Sequence, residues 1–178
     1  MRIIGGKYRN RKIRAGGGFR PTADRVRETL FNILQNDVPG SIFVDGFAGS
    51  GAVGIEAISR GASMVFFLES SQKSLRVLES NLNECCSNGE SWRIFTLDVF
   101  RGLEVVRATD PAAGILFFDP PYDFASYTDL LESCLRLFPD AICVVESSAR
   151  APYAVPERME LFKERKIGET VLSFYRTI

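Results

Sequence analysis

Asp119-Pro120-Pro121-Tyr122 sets a carboxylate, two carbonyls and an aromatic ring side by side on a backbone that two prolines hold stiff. Proline fixes φ and has no N–H to donate, so the carbonyls of such a run are expected to point outward. The Asp119 carboxylate and the Pro120 carbonyl can then accept both hydrogens of an exocyclic amino group. That localises the nitrogen lone pair, while Tyr122 stacks on the planar base that carries it. Methyl transfer from a sulfonium to such a nitrogen is an in-line displacement with a good leaving group. The protein need only hold the nitrogen about 3 Å from the carbon, exclude water and accommodate the charge that develops. A base stacked in a helix would have to be turned out to reach this pocket.

A second constellation lies upstream. Val44-Asp45-Gly46-Phe47-Ala48-Gly49-Ser50-Gly51-Ala52-Val53-Gly54 reads as a strand end, a glycine-rich turn and the start of a helix whose N–H groups can receive a phosphate or a carboxylate. Glu69 follows the next strand, where a carboxylate can take both hydroxyls of a ribose, and Asp98 ends the third. Gly49 to Gly54 satisfies G-x-G-x-x-G, so an NAD-dependent oxidoreductase is one reading. Asp45 favours another: a carboxylate before the glycines repels a pyrophosphate and suits a cofactor carrying a sulfonium and an ammonium, such as S-adenosylmethionine. Methylation of DNA adenine or of a small amine through the same pocket also stays open, although no segment reads as a DNA target-recognition domain.

These residues need a scaffold that brings strand ends together. Apolar runs rich in β-branched and aromatic residues recur at Ile42–Asp45, Met64–Leu68, Arg93–Leu97, Ile115–Asp119 and Ile142–Glu146. They alternate with helical spacing at Val53–Ser59, Ser74–Leu82 and Tyr127–Phe138. The alternation predicts an α/β fold with a doubly wound, mostly parallel sheet and ligands at the carboxyl ends of its strands. Glu160–Lys166 and Thr170–Arg176 flank Gly168 and predict an antiparallel hairpin closing the sheet edge. Thr22 is a candidate N-cap for a leading helix over 21–36, with Val26, Leu30, Ile33 and Leu34 as its apolar stripe. The whole of 1–178 is expected to form one domain: a basic arm over 1–20 with a hinge-like Gly16-Gly17-Gly18, the leading helix, and a core over 41–178.

The 178 residues are 46% hydrophobic and 25% charged, as in a soluble globular domain, and include no histidine. That excludes Ser-His-Asp and Cys-His catalysis and most zinc sites, and no metal is expected. Cys85, Cys86, Cys134 and Cys143 form no C-x-x-C, and neighbouring thiols suit no disulfide framework, so free thiols in a reducing compartment are expected. No stretch approaches the roughly 18 apolar residues of a membrane span, and MRIIGGKYRN lacks the apolar core of a secretory signal. A cytoplasmic protein with no membrane partner is the expectation, with a monomer as the default. The formal net charge is zero, yet residues 1–31 hold nine basic side chains against Asp24 and Glu28, a net +7 that leaves −7 on the rest. Such asymmetry suits a module that grips a polyanion with one edge, and Arg9, Arg11, Lys12, Arg14, Arg20, Arg25 and Arg27 are the candidate phosphate contacts.

Asp119-Pro120-Pro121-Tyr122 resembles the (D/N)-P-P-(Y/F) motif of exocyclic-amino methyltransferases. Arg2-Ile3-Ile4-Gly5-Gly6, the block from Arg20-Pro21-Thr22 to Leu34, and the run from Phe47 to Ala57 together resemble the bacterial RsmD family of small-subunit ribosomal RNA guanine-N2 methyltransferases, over nearly the whole chain. The resemblance implies a Rossmann-like class I methyltransferase fold and S-adenosylmethionine as donor. It implies as acceptor one guanine of 16S ribosomal RNA, within the small ribosomal subunit or an assembly intermediate. It further implies that Asp45 and the run Gly49, Ser50 and Gly51 face the methionine part of the cofactor, Glu69 the ribose and Asp98 the adenine amino group, with Phe47, Ala48, Ser70 and Val99 as further cofactor-binding candidates. Asp119, Pro120, Pro121 and Tyr122 would face the target guanine, with Arg20, Thr22 and Arg25 bordering the site. The chain departs from the family at Gly46, where a bulky apolar residue is usual, and at Ile33, where tryptophan is common. The missing side chain at Gly46 predicts a looser end to the first strand and weaker hold on the cofactor. Zero net charge favours a recognition surface that includes ribosomal protein over naked RNA.

Overall fold

The computed structural model describes residues 1–15, 24–86, 91–148 and 153–178. The glycine run 16–18, Arg20 and the candidate cap Thr22 lie outside them. Five parallel strands, β1 (Ile42–Asp45), β2 (Met64–Leu68), β3 (Trp92–Phe95), β4 (Ile115–Phe118) and β5 (Ile142–Ser148), join the antiparallel pair β6 (Met159–Ile167) and β7 (Thr170–Thr177). Together they form a seven-stranded sheet of order β3-β2-β1-β4-β5-β7-β6. The α/β doubly wound arrangement and the terminal hairpin are those the alternation predicts. The helices are α1 (Asp24–Ile33), α2 (Ala52–Ser59), α3 (Gln72–Cys85), α4 (Val99–Thr109) and α5 (Tyr127–Leu137). Among the described residues no helix is long and apolar enough to cross a membrane.

Side chains alternate across the central strands because successive Cβ atoms point to opposite faces. Phe43, Phe67, Phe117 and Val144 pack with α1, α2 and α3 in one core, whereas Val44, Phe66, Phe118 and Val145 pack with α4 and α5 in the other. Sheet order reverses between β1 and β4, the place where open α/β sheets take ligands. Several elements differ from the sequence reading. The leading helix ends at Ile33 rather than at 36. β3 ends at Phe95 rather than Leu97, since the Leu97 N–H turns back to the Phe95 carbonyl. Helix α4 has no counterpart in that reading, although Val99, Leu103 and Val106 are spaced to bury one helical stripe.

The basic N-terminal segment is docked rather than trailing. Arg2 bridges to Lys12, the Ile3 N–H donates to the Arg11 carbonyl, and Ile3, Tyr8 and Ile13 are buried in the first core. Its anchor is Glu56, fully buried on α2. One carboxylate oxygen accepts from Ile4 N at 2.8 Å, and the other from Gly5 N at 2.7 Å and Arg60 Nε at 2.9 Å. Gly6 makes the approach possible: φ is +73°, and a Cβ there would lie 1.9 Å from the Ser59 carbonyl oxygen. Removing a buried acceptor strands its donors. Glu56→Ala is therefore expected to cost about 3 kcal/mol of unfolding free energy in a urea titration, and Glu56→Gln less.

Candidate active site

Alternation carries the rim residues to one face. Asp45 ends β1 on the face of Phe43; Glu69 and Asp119 follow β2 and β4 with the same parity as Phe67 and Phe117; Glu146 lies on β5 with Val144. Four carboxylates thus stand on neighbouring strands in the order Glu69, Asp45, Asp119, Glu146. The sequence reading singled out three of them. Glu146, 9% exposed, appeared there only as a strand end; its place beside β4 depends on sheet order, which no local pattern contains.

Asp45 is 2% exposed, and its Oδ2 accepts from the Gly54 N–H at 2.9 Å, in the first turn of α2. Burial pushes its carboxyl up to about 7; the Gly54 hydrogen bond opposes the rise, and the like charges of Asp119 and Glu69 add to it. Glu69 spans the glycine turn: one oxygen accepts from Gly49 N at 2.8 Å and the other from Ser71 N at 2.7 Å. Gly49 and Gly51 have φ of +53° and +78°, and a Cβ at Gly51 would meet Leu78 Cδ1 at 2.3 Å, so α3 packs directly under the turn. Beneath it, buried Asn81 donates to the Ser50 carbonyl (2.8 Å) and to the Arg14 carbonyl (3.0 Å), and accepts from Arg14 N (2.9 Å). One amide thereby ties the glycine turn to the basic segment, a link the sequence reading missed because 67 positions separate Asn81 from Arg14.

The remaining candidates divide. Ser70 is exposed at the rim beside Glu69. Asp98 does not end β3; it caps α4, with Oδ1 accepting from Phe100 N at 3.0 Å and Arg101 N at 3.1 Å, and it remains exposed. Val99 and Ala48 are buried in the two cores, which leaves only their backbone to meet a ligand. Phe47 directs its ring against Phe118 and Phe124. In the acceptor turn Pro120 is buried and Tyr122 is 80% exposed. The Pro121 carbonyl does not face outward as expected, because it accepts from Phe124 N at 3.0 Å. Tyr127, at the start of α5, lies against Tyr153 and within the field of Asp119; burial first, then these two neighbours, push its phenol up.

Gly46 does not loosen β1. Its N–H donates to the Phe117 carbonyl at 2.8 Å, and the Phe118 ring occupies the space of a side chain there, 2.2 Å from where a Cβ would sit. Bulk lost at one residue is supplied by the next strand. Ile33 lies far from the rim, beside an open cleft at the opposite end of the sheet that Asp140, Ile142 and Phe162 also line.

Of the candidate phosphate contacts, Arg9, Arg11, Lys12, Arg14 and Arg25 are exposed, whereas Arg20 lies outside the described residues. Arg11 also donates to the Cys85 carbonyl and covers the Tyr8 ring, and Arg14 pairs with Glu84 at 2.6 Å. Arg27 is a correction. Its side chain is fully buried, donating to the Arg2 carbonyl at 2.7 Å and to Asp24 at 2.8 Å, so it cannot touch a ligand.

A family model described as conserved hypothetical protein 95 matches residues 1–176. The ribosomal RNA small subunit methyltransferase D of Haemophilus influenzae is 35% identical over 99% of this chain and 93% of its own length. The protein of the same name from Escherichia coli K12 is 32% identical over 99% and 89%. Among solved structures, yhhF from Escherichia coli, provisionally described as a methyltransferase, superposes with a TM-score of 0.83 at 29% identity, covering 99% of this chain and 97% of that one. The chain belongs to this RsmD family of S-adenosylmethionine-dependent methyltransferases. Membership sets aside the oxidoreductase reading.

The buried Asp45 fits a cofactor with cationic groups, since a positive charge nearby relieves its ionisation. In the folded chain Asp45 keeps its proton up to about pH 7, where the unfolded chain has released it near pH 4. Stability measured without cofactor is therefore expected to fall as pH rises between those values and to level off above. Urea titrations across that window check the slope, which Asp45→Asn should flatten.

Proposed function

We propose that this chain transfers a methyl group from S-adenosylmethionine to the exocyclic N2 of a guanine in 16S ribosomal RNA, in the cytoplasm and within a small ribosomal subunit or its assembly intermediate. The observation that carries the reading is the meeting of Asp45, Glu69 and Asp119 at adjacent strand ends, with Asp119 opening the Pro-Pro turn that follows β4. When bound, the cofactor supplies an electrophilic methyl on a sulfonium. Asp45 and the glycine turn hold its methionine end, Glu69 its ribose, and Asp98, from the α4 cap, its adenine amino group. Asp119 and the Pro120 carbonyl accept the two guanine N2 hydrogens, which aims the lone pair, and the exposed Tyr122 ring covers the base after it leaves its stack. The proton shed by the methylated nitrogen passes along the Asp119 hydrogen bond to solvent. The names of the two relatives support ribosomal RNA of the small subunit as the acceptor. Exposed cations on the docked N-terminal hairpin and on α1 support contact with its phosphates, and the zero net charge supports a surface shared with ribosomal protein.

Asp119→Ala is expected to lower methyl incorporation into small subunits lacking the modification by at least about 100-fold while S-adenosylhomocysteine still binds. Mass spectrometry of ribosomal RNA from cells with and without the gene would locate the methyl, and a methyl on any base other than guanine rejects the assignment. For the RNA surface, Arg9→Ala or Lys12→Ala should each reduce the slope of log affinity against log salt by about 1. Arg27→Ala should leave that slope unchanged and lower the melting temperature instead.

A further inference from the structure

Donor and acceptor sides of the site belong to different loops. At their base, the Gly46 N–H donates to the Phe117 carbonyl. Further out the link is made by rings. Phe47, in the glycine turn, meets Phe124 edge to face, with centroids 5.3 Å apart and planes at 74°; Phe124 meets Tyr127 of α5 at 5.1 Å and 85°. Phe47 also meets Phe118 at 6.5 Å and 76°. Phe124 is bound to the acceptor turn by its N–H to the Pro121 carbonyl, and the two prolines fix φ inside that turn, which ties the ring to the segment that carries Asp119.

The geometry points to Phe124 as a positioning residue: its ring, keyed against Phe47, makes the acceptor turn follow the glycine turn, so that filling the cofactor site sets Asp119 for the target base. Placement matters here because a displacement of about 1 Å between reacting atoms can cost about 100-fold in rate. The last step rests on the proposed methyl transfer. The link between the two turns stands on the ring contacts alone.

Hydrogen exchange with and without S-adenosylhomocysteine reads the link without RNA. In the wild type the ligand should slow exchange over 46–54 and also over 122–126; in Phe124→Ala it should slow only the first segment. On small subunits Phe124→Ala should lower kcat about 30-fold, within the range expected for a sub-ångström misplacement, while S-adenosylhomocysteine affinity by calorimetry stays within about threefold. Phe124→Tyr, which keeps the ring, should restore both readouts. Phe124→Leu, which keeps apolar bulk without the ring, is measured in parallel so that a poorly folded alanine variant does not decide the matter. Equal protection of 122–126 in wild type and Phe124→Leu overturns the inference, as does cofactor affinity that falls in step with kcat. A wild type that shows linked protection yet methylates no guanine refutes the proposed activity and leaves the ring link standing.

Discussion

Asp45 is a carboxylate withdrawn from water at the end of the central strand, with the Gly54 N–H on one oxygen and two further carboxylates close enough to oppose its ionisation. Solvation lost on burial has to be replaced, and a single amide does not replace it. What remains is a local preference for positive charge, directed through a turn whose glycines let a ligand come close. The neighbouring parts follow from this. Glu69 closes over the turn through Gly49, Asn81 braces it from below through Ser50, and α3 presses Leu78 into the space that Gly51 leaves. The supports around the turn are backbone hydrogen bonds and packed side chains rather than exposed ion pairs.

The parts of the site that could be read from the chain are those whose meaning is local. Asp45, Glu69 and Asp119 each follow an apolar run, and sheet geometry alone makes such ends converge. The Gly168 hairpin and most helices were readable for the same reason. What escaped was long-range. Glu56, on a wholly buried helix, and Asn81, on an amphipathic one, show no local sign of their role until their partners, 51 to 67 positions away, are seen to be backbone groups of the N-terminal segment. Phe124 is one aromatic residue in a loop, and its value lies in Phe47. The apolar residues before Asp98 suit a strand, so its capping role on α4 has no local signature ahead of it.

Charge counting showed a similar limit. The cationic excess of the first 31 residues is real, but part of it holds the protein together: Arg27 is sealed beneath the hairpin, and Arg11 and Arg14 are shared with α3. Gly46 makes the complementary point about departures from a family pattern. Its absent side chain looks like a defect along the chain and is a fitted joint in space, because the Phe118 ring fills it. A bulky residue placed at Gly46 with Phe118 retained would crowd that corner.

The docked hairpin has a bearing on how the protein is made. Its partners on α2 and α3 extend to Cys85, so Met1–Ile13 leaves the ribosome well before the helices it requires exist. Contacts this distant in sequence close late. During translation Arg2, Lys7, Arg9, Arg11 and Lys12 therefore emerge before the helices that hold their segment, and the segment docks only once α3 is complete.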